Sequence, residues 1–145
     1  MLKRTLAAAA LCLIGAVSIA SAQDYGHDRE AAMKKIGGSM GALSGIAKGE
    51  KPYDAEAVKA ALTTMSETIK VFPTYFPAGS ETASDEASPK IWEDKAGFEA
   101  AAAKLASDAD TLLAQLPADQ AAVGAALGTL GKDCGACHQA YRLKK

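Results

Sequence analysis

Near the C-terminus the chain carries Cys134-Gly135-Ala136-Cys137-His138, a C-x-x-C-H string. Two thiols at this spacing can add to the two vinyl groups of one porphyrin, and the imidazole beside the second thiol can ligate the iron. The string is the attachment signature of a c-type haem. Competing chemistries fail on the rest of the chain. A thioredoxin-like dithiol shares the cysteine spacing but belongs in a βαβ context, and no alternating strand pattern occurs here. A structural zinc site needs about four ligands, whereas the only other histidine is His27, far away in sequence. A carboxylate-bridged di-iron bundle would show Glu-x-x-His on two helices, and no such pair is present. A lone disulfide would leave His138 without a role.

The N-terminus agrees with haem attachment, which takes place outside the cytoplasm. Lys3 and Arg4 form a basic start, residues 6–20 are an apolar run, and Ala20-Ser21-Ala22 offers a small-x-small cleavage site. Residues 1–22 therefore read as a secretory signal peptide, leaving residues 23–145 as one domain in the periplasm. The apolar run is shorter than the roughly 20 residues a spanning helix needs, so no membrane span is expected. Cleavage also removes Cys12, so the two remaining cysteines are both in the attachment string. Loss of Lys3 and Arg4 reduces 16 basic residues to 14 against 17 acidic ones. That balance excludes nucleic acid as a partner, which would need a basic footprint. The tail residues Arg142, Lys144 and Lys145 suit the C-terminal end of a helix.

Apolar residues elsewhere recur with helical spacing. The first helix carries Met33, Ile36, Met40, Leu43 and Ala47 and ends around Gly49. The second starts after an Asp54 cap, carries Val58, Leu62, Met65, Ile69 and Phe72, and stops at Pro73. A third begins near Ile91-Trp92 and runs through Phe98, Ala102, Leu105, Ala109, Leu112 and Leu116 to Pro117. The fourth follows an Asp119 cap with Val123, Leu127, Leu130, Cys134, Cys137 and Tyr141. Cys134 and Cys137 continue this last stripe, so both thiols should face the bundle interior, with His138 on the adjoining row. The fold class is all-α: an antiparallel four-helix bundle with covalently bound haem c. A segment from Pro73 to Pro89, rich in Pro, Gly, Ser and Asp, reads as a surface crossover. Gly37, Gly38, Gly41 and Gly45 lie within the first helix, where they would permit close helix contact or serve a subunit interface. Met40 and Met65 read as core fillers, Trp92 and Phe98 as core anchors, and His27 as solvated.

Several further strings sit with the attachment motif: Arg29-x-x-x-Met33, Phe72-Pro73 with Phe76-Pro77, Pro89-Lys90-Ile91-Trp92 leading to Phe98, and His138-x-x-Tyr141-Arg142. With these strings the chain resembles the class II c-type cytochromes, the family of cytochrome c prime and cytochrome c-556, over nearly all of residues 23–145. Cytochrome c prime is a four-helix bundle. The resemblance implies that His138 is the proximal iron ligand and that Cys134 and Cys137 form the thioethers. It places Arg142 near the proximal haem face and Arg29 near a haem propionate, where a buried carboxylate needs a charged neighbour. The family divides at Met33. In low-spin members this methionine ligates the iron, which raises the potential and suits electron transfer. In high-spin members a bulky residue there lines the pocket and leaves iron five-coordinate. The residues Thr74 to Phe76 depart from members that carry tryptophan there. The expected function is single-electron transport through an Fe(II)/Fe(III) haem, with redox proteins as partners. The alternative is a five-coordinate haem that binds small gases such as nitric oxide or carbon monoxide. The resemblance also implies a homodimer through the first two helices. Enzymatic chemistry is not expected, because no acid–base pair can be assigned to a distal pocket.

Overall fold

The structure, a computed structural model, describes the backbone of residues 17–144 and the side chains of residues 25–144. Cys12 and most of the expected signal peptide lie outside the described residues. The elements are α1 (Val17–Ala47), α2 (Ala55–Val71), a 3-10 turn (Phe72–Tyr75), α3 (Lys90–Glu93), α4 (Lys95–Ala114) and α5 (Gln120–Tyr141). α1 packs on α2 and α5, and α4 packs on the same two helices, so the four long helices close a ring around one core. The architecture is the expected antiparallel four-helix bundle.

Each boundary has a local cause. α1 ends two residues before Gly49, whose φ of 73° a side chain would disfavour. Asp54 accepts from the amides of Glu56 (2.9 Å) and Ala57 (3.3 Å) to start α2. Asp119 does the same for α5 through Ala122 (2.8 Å). The connections at this end are tied together, with Tyr53 donating to the Pro117 carbonyl (2.8 Å) and Gln120 to that of Ala47 (3.1 Å). Leu43, Val58, Leu62, Met65, Val123 and Leu130 fill the closed part of the core.

The third helix departs from expectation. Ile91 and Trp92 occupy the separate single turn α3, and the chain bends at Asp94 (φ −126°, ψ 59°) before α4 begins. An aspartate competes with the helical backbone for hydrogen bonds. Here its carboxylate accepts from the Gly97 amide (3.1 Å) and the Tyr141 hydroxyl (2.8 Å), which holds the break in place. The crossover also differs from a plain surface loop. Phe72, Phe76 and Ser80 are buried, and side chains from neighbouring elements bind its backbone. Lys95 Nζ donates to the carbonyls of Pro73 (3.0 Å) and Phe76 (3.1 Å), and Trp92 Nε1 to that of Pro77 (3.0 Å).

The glycine expectation is corrected in one respect. A Cβ placed at Gly37, Gly38 or Gly41 would meet nothing within 4 Å, and one at Gly45 would come nearest to the flexible Lys51 side chain, at 3.5 Å. These glycines do not permit close contact within the bundle. The close approach occurs at Gly26, where a Cβ would collide with the backbone carbonyl of Ala83 in the crossover.

Candidate cofactor cavity

One end of the bundle holds a cavity of about 810 Å³ between α1, α4, α5 and the crossover. Cys134, Cys137 and His138 line it from α5, Met33 and Arg29 from α1, and Arg142 from just beyond α5. All six expected site residues therefore meet in one space. Phe72, Phe76, Phe98 and Tyr141 form an aromatic wall, with successive centroids of 5.0, 4.9 and 5.4 Å. Met40 lines the cavity rather than only filling core, whereas Met65 is fully buried. His27 is exposed at its edge, as expected of a solvated histidine.

The thiols of Cys134 and Cys137 are free and half-buried against the core cluster. Burial pushes both up from the ordinary thiol value, with the negative charge of Asp133 adding to the effect at Cys134. Such thiols stay protonated at neutral pH, unlike the activated thiolate of a dithiol oxidoreductase. His138 is exposed at the cavity edge, yet the protein around it removes part of its hydration and pushes it down from its ordinary value; the Arg142 guanidinium adds to this, and Glu86 partly opposes it. A lowered value favours the neutral imidazole, the form that can ligate a metal.

The end of α5 is fastened to the crossover by a short antiparallel clip. Ala87 and Arg142 form an isolated bridge. The Ser88 amide donates to the Tyr141 carbonyl (3.0 Å) and the Leu143 amide to that of Glu86 (2.9 Å). The Arg142 guanidinium pairs with the Glu86 carboxylate at 3.0 Å. These contacts hold the turn that carries His138.

Arg29 is 4% exposed. Its Nε donates to the Tyr75 carbonyl (2.9 Å), and its Nη2 to the carbonyl (3.0 Å) and hydroxyl (2.6 Å) of Ser80. The guanidinium stacks 4.1 Å from the Phe76 centroid. Burial pushes it down from its ordinary value and Glu81 partly offsets this, yet an arginine remains charged. Nη1 is buried and finds no acceptor among the described residues. A buried cation with a spare donor at a cavity wall fits an anionic group on whatever fills that cavity.

The cavity suits a haem. Its volume lies in the range of organic cofactor sites, roughly 300–1,000 Å³, its wall is largely apolar, and it brings together two thiols, an imidazole and an anion-seeking arginine. The family model described as cytochrome c prime matches residues 24–142. A cytochrome c-556 from Agrobacterium tumefaciens (strain II Chrys) is 67% identical over 117 residues, covering 81% of this chain and 95% of that protein. The chain belongs to the cytochrome c prime family. The solved structure of cytochrome c prime from Rhodopseudomonas palustris is similar, with a TM-score of 0.78 and 36% identity over 84% of this chain and 98% of that one. A nitric oxide complex of a mutant cytochrome c prime from Alcaligenes xylosoxidans has a TM-score of 0.76 and 31% identity, covering 86% and 97%. As a member of this family the chain has one covalently bound haem c as its cofactor.

Some residues in and around this family member's cavity were not singled out from the sequence. Ser80 and Glu86 bind the two arginines through the crossover, whose conformation no periodicity encodes. Asp133 also lines the cavity, with a side chain only 13% exposed. Helical spacing could have found it, because Leu130, Asp133, Cys134 and Cys137 step by 3, 1 and 3 along the buried face of α5. Among the described residues no helix is long and apolar enough to cross a membrane.

Proposed function

We propose that this chain is a periplasmic electron carrier, with residues 1–22 removed as a signal peptide and residues 23–145 forming the haem domain. One observation carries this reading: α5 brings Cys134, Cys137 and His138 to the cavity that Met33 lines from α1. The two thiols would hold the macrocycle as thioethers, His138 would be the proximal ligand, and Met33 the distal ligand. When bound, haem c supplies a one-electron Fe(II)/Fe(III) couple. The chain's own residues set the conditions for it. Phe72, Phe76 and Phe98 exclude water from the cavity wall. The clip at Arg142 and Glu86 holds the end of α5, and with it the imidazole orientation. Arg29 offers Nη1 to a propionate while its other donors brace the crossover. Thioether ligation by Met33 would raise the potential and suit electron transfer, and the high identity to a protein named cytochrome c-556 supports that choice.

The second reading, a five-coordinate haem that binds nitric oxide or carbon monoxide, is favoured by the nitric oxide complex of a structural neighbour. In it Met33 only lines the pocket. In either reading the partner chemistry is redox proteins or small neutral gases, with a homodimer through α1 and α2 as the family resemblance implies. Gly37, Gly38 and Gly41 leave the α1 surface open for such packing.

Absorption spectra of the holoprotein, oxidised and reduced, with and without carbon monoxide, test the choice. Sharp reduced bands that ignore carbon monoxide, and that broaden in Met33→Ala, are the expected result. Carbon monoxide binding by the unmodified protein would move the gas-binding reading to first place.

A further inference from the structure

Asp133 is an unusual residue to find in the wall of this cavity. It immediately precedes Cys134, its side chain is 13% exposed, and its Oδ2 is buried with no hydrogen-bond donor among the described residues. Beside it on α4 stands the carboxyl of Asp108, which is tied to Lys104 Nζ at 2.5 Å. The same Lys104 Nζ lies 3.6 Å from Asp133 Oδ1. Two carboxyl groups side by side cannot both ionise without mutual repulsion. An acceptor oxygen that is buried without a donor carries a further cost. A single proton on Asp133, donated to Asp108, removes both penalties, while Lys104 keeps Asp108 ionised.

We propose that Asp133 and Asp108 form a proton-binding pair that takes up one proton from solvent when the haem accepts one electron, so that the carrier moves the electron and a proton together. The inference rests on the haem reading above. One electron arrives from a one-electron donor protein and reduces Fe(III) to Fe(II), and one proton from solvent converts the ionised carboxylate of the pair to a carboxyl. Reduction removes one positive charge from the cavity, so a carboxylate in its wall loses attraction and binds a proton more readily.

Other charged groups surround the cavity. From α1, Glu30 is paired with Lys34 (2.6 Å) and Arg29 is bound to the crossover. His27 and the crossover's Asp85 also line it, and Glu86 is paired with Arg142 (3.0 Å). On α5 itself the remaining titratable groups are the thiols of Cys134 and Cys137, which the thioethers would consume, His138, the proposed iron ligand, the Tyr141 hydroxyl, which donates to Asp94 (2.8 Å), and Lys132, the exposed neighbour of Asp133. Burial and the neighbouring Asp108 hold Asp133 above the ordinary carboxylate value, with Lys104 partly opposing. The proton therefore exchanges at a pH above that of an ordinary aspartate.

The test is the reduction potential of the holoprotein across roughly pH 4 to 8, the range above the ordinary carboxylate value, for the parent and Asp133→Asn. The parent potential is expected to fall with pH through a window by up to about 59 mV per unit, a tenfold change in the equilibrium. Asp133→Asn should be flat there and should have a higher potential at the alkaline end, because an anion has been removed. An unchanged slope in Asp133→Asn overturns the proposal. Lys104→Met is the second variant. Loss of its cation should move the window to higher pH, and a window that stays in place also overturns it. Should Asp133→Asn fail to load haem, redox-difference infrared spectra of the parent decide. A protonated-carboxyl band that grows on reduction supports the pair, and its absence sinks it. A parent with no reversible couple overturns both the haem reading and this one, whereas a reversible couple with a pH-independent potential overturns only the proton pair.

Discussion

Arg29→Met tests whether one buried guanidinium fastens the crossover over the cavity. Methionine keeps much of the aliphatic volume and removes every donor. The carbonyls of Tyr75 and Ser80 then lose bonds of 2.9 and 3.0 Å, and the Ser80 hydroxyl loses one of 2.6 Å while keeping its own bond to the Pro77 carbonyl. Hydrogen bonds to charged groups contribute about 1.5–3 kcal/mol each, so the two carbonyls account for roughly 3–6 kcal/mol. Loss of the stacking on Phe76 adds about 1 kcal/mol. Two effects oppose this loss: the guanidinium no longer has to be desolvated, and water can reach the half-buried Tyr75 carbonyl. We expect a net destabilisation of about 2–4 kcal/mol, with Arg29→Lys costing about half as much because it keeps the charge but loses the fork. Urea unfolding of holoprotein, followed by circular dichroism at equal haem content, reads the difference. Hydrogen exchange should show the loss concentrated in residues 72–86. If Arg29→Met matched the parent within about 0.5 kcal/mol, the size of an ordinary surface substitution, the desolvation cost would cancel the bonds and the bracing role would be refuted.

Three other outcomes follow from the packing and charges. Gly26→Ala gains about 1 kcal/mol of helix propensity, but its Cβ collides with the Ala83 carbonyl, a backbone atom that cannot rotate away. Overpacking of this kind costs about 1–3 kcal/mol, so the melting temperature should fall, and a rise would show that the crossover yields freely. Leu62 is fully buried, and Leu62→Ala should cost about 2–5 kcal/mol; a loss under about 1 kcal/mol in denaturant would mean that the core collapses around the gap. In the haem-free chain His138 titrates below its ordinary value, so the unfolded state binds more protons in the interval between the two values. Stability then falls as pH drops through that interval. Arg142→Gln should move the His138 titration, followed by nuclear magnetic resonance, upward toward the ordinary value, and a downward movement would contradict the assigned charge effect.

The long helices and the clustering of the C-x-x-C-H side chains were legible in the sequence because both are encoded at short range. Helical spacing placed Val58, Leu62 and Leu130 in the core, Asp54 and Asp119 announced their helix starts, and Cys134, Cys137 and His138 share one turn of α5. Family resemblance added Met33, Arg29 and Arg142, and the fold brings all of these to one cavity. Tertiary structure alone decided the rest. The break at Asp94 depends on Tyr141, which lies 47 residues away, so propensity within residues 90–98 reads as one continuous helix. Close contact at Gly26 rather than at the other α1 glycines follows from where the crossover passes, and that path is set by Arg29, Trp92 and Lys95 reaching its carbonyls. Asp133 shows the same division. Its position on the buried face of α5 was present in the spacing, but its missing donor and its neighbours Asp108 and Lys104 exist only once α4 lies beside it. Periodicity is a property of one helix, whereas the charge and hydrogen-bond environment of a side chain belongs to whatever the fold brings against it.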